Sequence, residues 1–141
     1  MTIAMNKTAV EIFLVEDNPS DVRWLQEILR DVPVPNRLSV AKDGEEAVAF
    51  LARSGAYEDA PRPDVIVLDL NLPKKDGVEV LTEIMEQDGL KDIPVVILTS
   101  SVDEQDVDNT FSLRANCYIT KPIDLERLCM MLNALEPSIR A

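Results

Sequence analysis

The sequence predicts an α/β domain with a doubly wound parallel sheet, and three observations carry that prediction. Five short apolar segments of strand length alternate with segments whose apolar residues fall at helical spacing. The third apolar segment, Val65-Ile66-Val67-Leu68, shows no alternation, as expected of a strand covered by helices on both faces. Four of the five segments run directly into residues with chemistry: Glu16-Asp17, Asp69, Thr99-Ser100 and Lys121-Pro122. In an open parallel sheet the carboxyl ends of the strands form the edge where ligands bind.

The elements follow in order. Residues 1–9 carry no periodic signal and read as a tail; residues 10–141 read as one domain. The first strand is predicted over residues 10–15. Asn18-Pro19-Ser20-Asp21 opens a helix, with the proline suited to its first turn and the acid to its positive end. Val22, Leu25, Leu29 and Val32 form its inward stripe, and Pro33 and Pro35 stop it. A short second strand covers residues 37–41, and Asp43-Gly44 turns into a helix over residues 45–53 that buries Ala47, Val48 and Leu51. Residues 54–63, with Gly55, Pro61 and Pro63, read as an ordered loop. The third strand covers residues 64–68. A helix follows over residues 78–87, with Leu81, Ile84 and Met85 inward and Gly89 as terminator. The fourth strand covers residues 94–98. The helix predicted over residues 103–113 has few core anchors, Val107 and Phe111, and should be the most mobile. The fifth strand covers residues 117–119, and the last helix offers Leu125, Leu128, Leu132 and Leu135 to the core. Strand and helix thus alternate five times, which implies right-handed crossovers.

Composition narrows the function classes. A chain of 141 residues with 46% hydrophobic and 28% charged content supports one domain with a real core. Its apolar stretches are too short to span a bilayer, and the N-terminus has no secretory h-region, so a cytoplasmic protein is expected. The net charge of −12 opposes binding to nucleic acid or anionic lipid. With no histidine and no CxxC, the usual zinc sites and any His-based catalytic dyad are excluded. Cys117 and Cys129 read as buried free thiols.

The strand-end residues would gather three carboxylates, a hydroxyl and an ammonium in one cleft. The carboxylates suit a hard divalent cation such as Mg²⁺, and the hydroxyl and the lysine suit a phosphoryl group. In order and separation, Glu16-Asp17, Asp69, Thr99, Tyr118 and Lys121-Pro122 resemble the signature of response-regulator receiver domains of two-component signalling, over nearly the whole chain. In finer detail the segments 15–23, 68–77 and 116–121, and the long loop before Asp64, resemble the single-domain regulators that serve bacterial phytochromes.

That resemblance implies a CheY-like, flavodoxin-like (βα)5 fold with strand order 2-1-3-4-5. It implies Asp69 as phosphoacceptor. It implies Mg²⁺ held by Asp17 and Asp69, by the backbone carbonyl of Asn71, and by Glu16 through water. Lys121 and Thr99 would contact phosphoryl oxygens, Tyr118 would be the rotamer switch coupled to Thr99, and Lys121-Pro122 would hold a cis peptide. The phosphodonor would be a sensor histidine kinase, a phytochrome by the finer resemblance, and a histidine phosphotransfer protein could take the group onward.

Two features stand apart from the site. Trp24 lies on the flank of the first helix, as a cover on the core or as part of a kinase-docking face. Met130 and Met131 lie partly beyond the core stripe of the last helix and suit a homodimer through the last two predicted helices and the fifth strand. A phosphohydrolase of the haloacid-dehalogenase type would carry a second Asp where this chain has Asn71; a degenerate interaction module would lack one of the signature residues. A DNA-binding output is opposed by the charge and by the short chain. The expectation is therefore a non-enzymatic phosphoacceptor that catalyses only its own phosphorylation and slow dephosphorylation.

Overall fold

The apolar segments form strands because their β-branched side chains are covered on both sides, and the amphipathic segments between them supply the cover. The computed structural model describes residues 9–70, 72, 77–87, 89–99, 117–121 and 123–139. Strands β1 (Val10–Val15), β2 (Asn36–Ala41), β3 (Val65–Asp69), β4 (Val95–Thr99) and β5 (Cys117–Thr120) form one sheet in the order β2-β1-β3-β4-β5. Every pairing is parallel. This is the expected order, and the chain changes winding direction between β1 and β3, the topological switch point at which a crevice opens.

Alternation along each strand divides the core in two. Phe13, Val15, Ile66, Leu68, Val95 and Ile97 face helices α2 (Gly44–Ala52) and α3 (Gly77–Met85). Ile12, Leu14, Val65, Val67, Val96 and Leu98 face α1 (Pro19–Leu29) and the C-terminal helix (Leu125–Ile139).

Helix α1 starts as its sequence demands: Asn18 is the N-cap, its side chain accepting from the Ser20 and Asp21 amides, with Pro19 in the first turn. It ends at Leu29, before Pro33 is reached. The amides of Arg30, Asp31 and Val32 each bond back three residues, so the chain tightens into a turn that keeps Val32 buried. In α2 the buried stripe is Ala47, Phe50 and Leu51, and Val48 is only half-buried. Positions 47, 50 and 51 share one helical face and 48 lies off it. Phe50 stacks on Phe13 with ring centroids 4.2 Å apart. The loop after α2 is ordered: it forms a short 3₁₀ turn, Gly55–Tyr57, and the Tyr57 hydroxyl donates to Glu46 Oε2 at 2.8 Å.

In α3, Val80, Leu81 and Ile84 are buried and Met85 is half-buried. On the C-terminal helix Leu128, Met131 and Leu132 enter the core, Leu125 is half-buried, and the Leu135 side chain lies outside the described residues. Met131 therefore belongs to the core stripe, one residue short of Leu132, and Met130 is the methionine left outside, 63% exposed. The helix expected over residues 103–113 lies outside the described residues. Among the described residues no helix is long and apolar enough to cross a membrane.

Candidate functional site

Strands β1, β3, β4 and β5 and helix α1 bring the site together. Strands β3 and β4 each run one residue further than the apolar segments suggest, so that Asp69 and Thr99 are themselves strand residues. Asp69 pairs in register with Leu98, and its main chain is thereby fixed by the ladder. Glu16 follows β1 directly, and its amide bonds to the Ala41 carbonyl of β2 at 2.9 Å. Thr99 pairs with Thr120, which precedes Lys121.

The acid at the end of β3 is held from below by a close approach. A Cβ on Gly77 would lie 2.5 Å from Leu70 Cα and 2.6 Å from the Asp69 carbonyl oxygen, so only glycine lets α3 begin here. The Gly77 amide also donates to the Leu70 carbonyl at 3.0 Å. The steric role depends on where α3 meets β3.

Carboxylate oxygens of Glu16, Asp17 and Asp69 all lie within 4.8 Å of one another. Glu16 and Asp69 are the buried charged residues among those described, and Asp17 is exposed. Three anionic oxygen donors at this spacing fit a hard divalent cation and offer nothing to a soft one. Lys121 Nζ reaches into the same cluster, 2.7 Å from Glu16 Oε1, 2.8 Å from Asp21 Oδ2 and 3.1 Å from Asp69 Oδ2. The contact with Glu16 is an ion pair, and the buried Oε1 makes no aligned hydrogen bond among the described residues. Glu16 Oε2 accepts from the Asn18 amide at 3.3 Å.

The electrostatics follow from this crowding. Burial, then the hydrogen bond with Asp69, pushes the Glu16 carboxyl up to about 7, against the lowering pull of Lys121. Burial works against the Lys121 ammonium, but the carboxylates of Asp21, Glu16 and Asp69 outweigh it and hold its pKa above the ordinary lysine value. The cluster thus has an excess of negative charge at its centre and a fully charged lysine beside it.

The structure brings Glu16, Asp17, Asp69 and Lys121 together as the sequence predicted, and adds Asp21, which the sequence placed only as a helix-start acid. The side chains of Thr99 and Tyr118, and residues Asn71 and Pro122 entirely, lie outside the described residues; Tyr118 pairs with Ile97 through its backbone in β5. Trp24 is 44% exposed, and its indole N–H donates to the Ile123 carbonyl, two residues beyond Lys121. It is a strap onto the site's loop as well as a surface aromatic. Cys129 is a free, half-buried thiol.

Residues 12–133 match the response regulator receiver domain family. The response regulator Rcp1 of Synechocystis sp. is 49% identical over 125 residues, covering 89% of this chain and 85% of that protein. The solved structure of the Mn(2+)-bound form of Rcp1 superposes with a TM-score of 0.78 at 48% identity, over 90% of this chain and 91% of that one. The phosphorylated cyanobacterial phytochrome response regulator RcpA gives 0.80 at 48% identity, over 91% of each chain. The bacteriophytochrome response regulator AtBRR gives 0.80 at 39% identity, over 91% of this chain and 93% of that one. The chain belongs to the response-regulator receiver family and is closely related to RcpA.

Proposed function

We propose that this receiver takes a phosphoryl group from a histidine kinase onto Asp69 and signals through the resulting change of surface. The observation that carries the reading is the convergence of Glu16, Asp17 and Asp69 carboxylates within 4.8 Å, with Lys121 Nζ 3.1 Å from Asp69. An Asp69 carboxylate oxygen attacks phosphorus, a P–O bond forms, and the P–N bond of the phosphohistidine breaks with its electron pair leaving on the imidazole. Lys121 gives its ammonium to a phosphoryl oxygen, for which it must leave part of its present contact with Glu16 and Asp69. Thr99, at the end of β4, supplies a hydroxyl to another oxygen, and Tyr118 of β5 follows it as the switch. Lys121-Pro122 is proposed as a cis peptide that aims the lysine.

Mg²⁺ fits the all-oxygen donor set of Asp17 and Asp69; Glu16 would act through water and the Asn71 backbone carbonyl would add an oxygen. When bound, it would offset charge on the acids and on the transferring group. Phosphorylation adds roughly −1.5 to −2 charges and three acceptor oxygens, enough to repack the site's neighbours. The likeness to RcpA and AtBRR supports a phytochrome as the kinase; a histidine phosphotransfer protein is proposed as a further partner. Among the described residues a homodimer surface on the C-terminal helix would rest on Met130.

Intact-mass spectrometry with acetyl phosphate tests the reading. The wild type should gain the mass of one phosphoryl group only with Mg²⁺, and Asp69→Ala should gain none. An equal gain in the Asp69→Ala protein would sink it.

A further inference from the structure

We infer that Asp21 is a positioning residue for Lys121, the anchor that keeps the ammonium at the site when a divalent cation takes Glu16 and Asp69. The inference rests on the receiver reading above and deepens it. Lys121 Nζ has three carboxylate neighbours at nearly equal distance: Glu16 at 2.7 Å, Asp21 at 2.8 Å and Asp69 at 3.1 Å. Two of these, Glu16 and Asp69, belong to the trio that fits a cation, and Asp21 does not. A cation and an ammonium cannot share the same two carboxylates at full strength, so lysine and metal compete for them. Asp21 gives the lysine a third place to go.

The geometry makes that place fixed. Asp21 stands in the first turn of α1, where its amide donates to Asn18 Oδ1 at 3.4 Å. Three residues on and on the same helical side, Trp24 bonds the Ile123 carbonyl. Helix α1 therefore grips the segment after β5 twice, at Lys121 through charge and at Ile123 through the indole. With the main chain held at Ile123, turning the Lys121 side chain is enough to carry its ammonium between Asp21 and Asp69. The Asp21 side chain is 35% exposed against 1% for Glu16, so the anchor stands at the rim of the cluster and the acid at its centre.

A thermodynamic cycle tests this, with Mg²⁺ binding read by calorimetry on the unphosphorylated protein. Asp21→Asn, of the same shape, should weaken Mg²⁺ binding about fivefold or more, because Lys121 then rests on Glu16 and Asp69 and must be displaced. In a Lys121→Met background the same substitution should have little effect, and Asp21→Glu should restore most of the affinity. Circular dichroism checks that each variant is folded. A loss as large without Lys121 as with it would mean that Asp21 acts only through its charge on the cation, and overturns the inference. Mg²⁺ binding that Asp21→Asn leaves unchanged overturns it alone. A wild type that binds no Mg²⁺ overturns the receiver reading and this inference with it.

Discussion

The two faces of the sheet are built from the same strands and do different work. On one face, α2 and α3 pack an aromatic cluster in which Phe13 and Phe50 stack and Tyr57 tilts against Phe50. The polar bond of Tyr57 goes to Glu46 on α2, and so ties that helix to its own loop. On the other face, α1 and the C-terminal helix pack aliphatic side chains, and α1 sends Asp21 and Trp24 across to the segment that carries Lys121. One face supplies cohesion; the other couples packing to the charged cluster. A receiver needs both, because a switch must move against something that does not.

Breaking the cohesive face should have the largest effect. Phe50→Ala removes a buried ring stacked at 4.2 Å and should cost about 3–5 kcal/mol of unfolding free energy in a urea titration. The Mg²⁺ dissociation constant of the folded protein should stay as it was. A parallel loss of Mg²⁺ affinity would show that the two faces are not separate in the way described.

Gly77→Ala sharpens the comparison, since Gly77 is where the cohesive face meets the site. The added methyl would enter the 2.5 Å space above Leu70 Cα, and the overpacking should cost about 1–3 kcal/mol. Unlike Phe50→Ala, it should also slow phosphorylation by acetyl phosphate, because the Asp69 carbonyl is among the atoms that must shift. Stability loss with an unchanged rate would place Gly77 wholly on the side of cohesion.

The smallest effect is electrostatic. Glu16 has its carboxyl raised from 4.5 to about 7 in the folded protein, so between those values the folded state keeps a proton that the unfolded chain has released. Stability of the metal-free protein is therefore full below about 4.5 and falls as pH rises through about 7. The loss should be on the order of 1–2 kcal/mol. Glu16→Gln should flatten that slope in thermal melts, and saturating Mg²⁺ should reverse it, since the cation binds the ionised acid. A slope that survives Glu16→Gln would assign it to another group.

Most of the fold was legible because its signals are local. Strand runs, the Asn18 cap and the acids after strand ends are each set within a few residues, and the structure keeps them. Errors arose where one helical position decides between core and solvent. Val48 was expected inside and Phe50 is there instead; Met131 was expected partly outside and is buried. Strand ends came one residue early at Asp69 and Thr99, because an apolar run stops before the ladder does. What the sequence could not give is the meeting of distant segments. Asp21 and Lys121 are separated by 100 positions, and an acid in a first helical turn already has a sufficient local reason to exist. Gly77 likewise has a role that only the meeting of α3 with β3 discloses.

Trp24 is the chain's single tryptophan. Its ring is part in water and part on the protein, with its N–H committed to the carbonyl of Ile123. All indole fluorescence from this molecule thus originates at the strap beside Lys121. A loosening of that bond would shift the emission wavelength, and the course of activation could be followed in real time with no label attached.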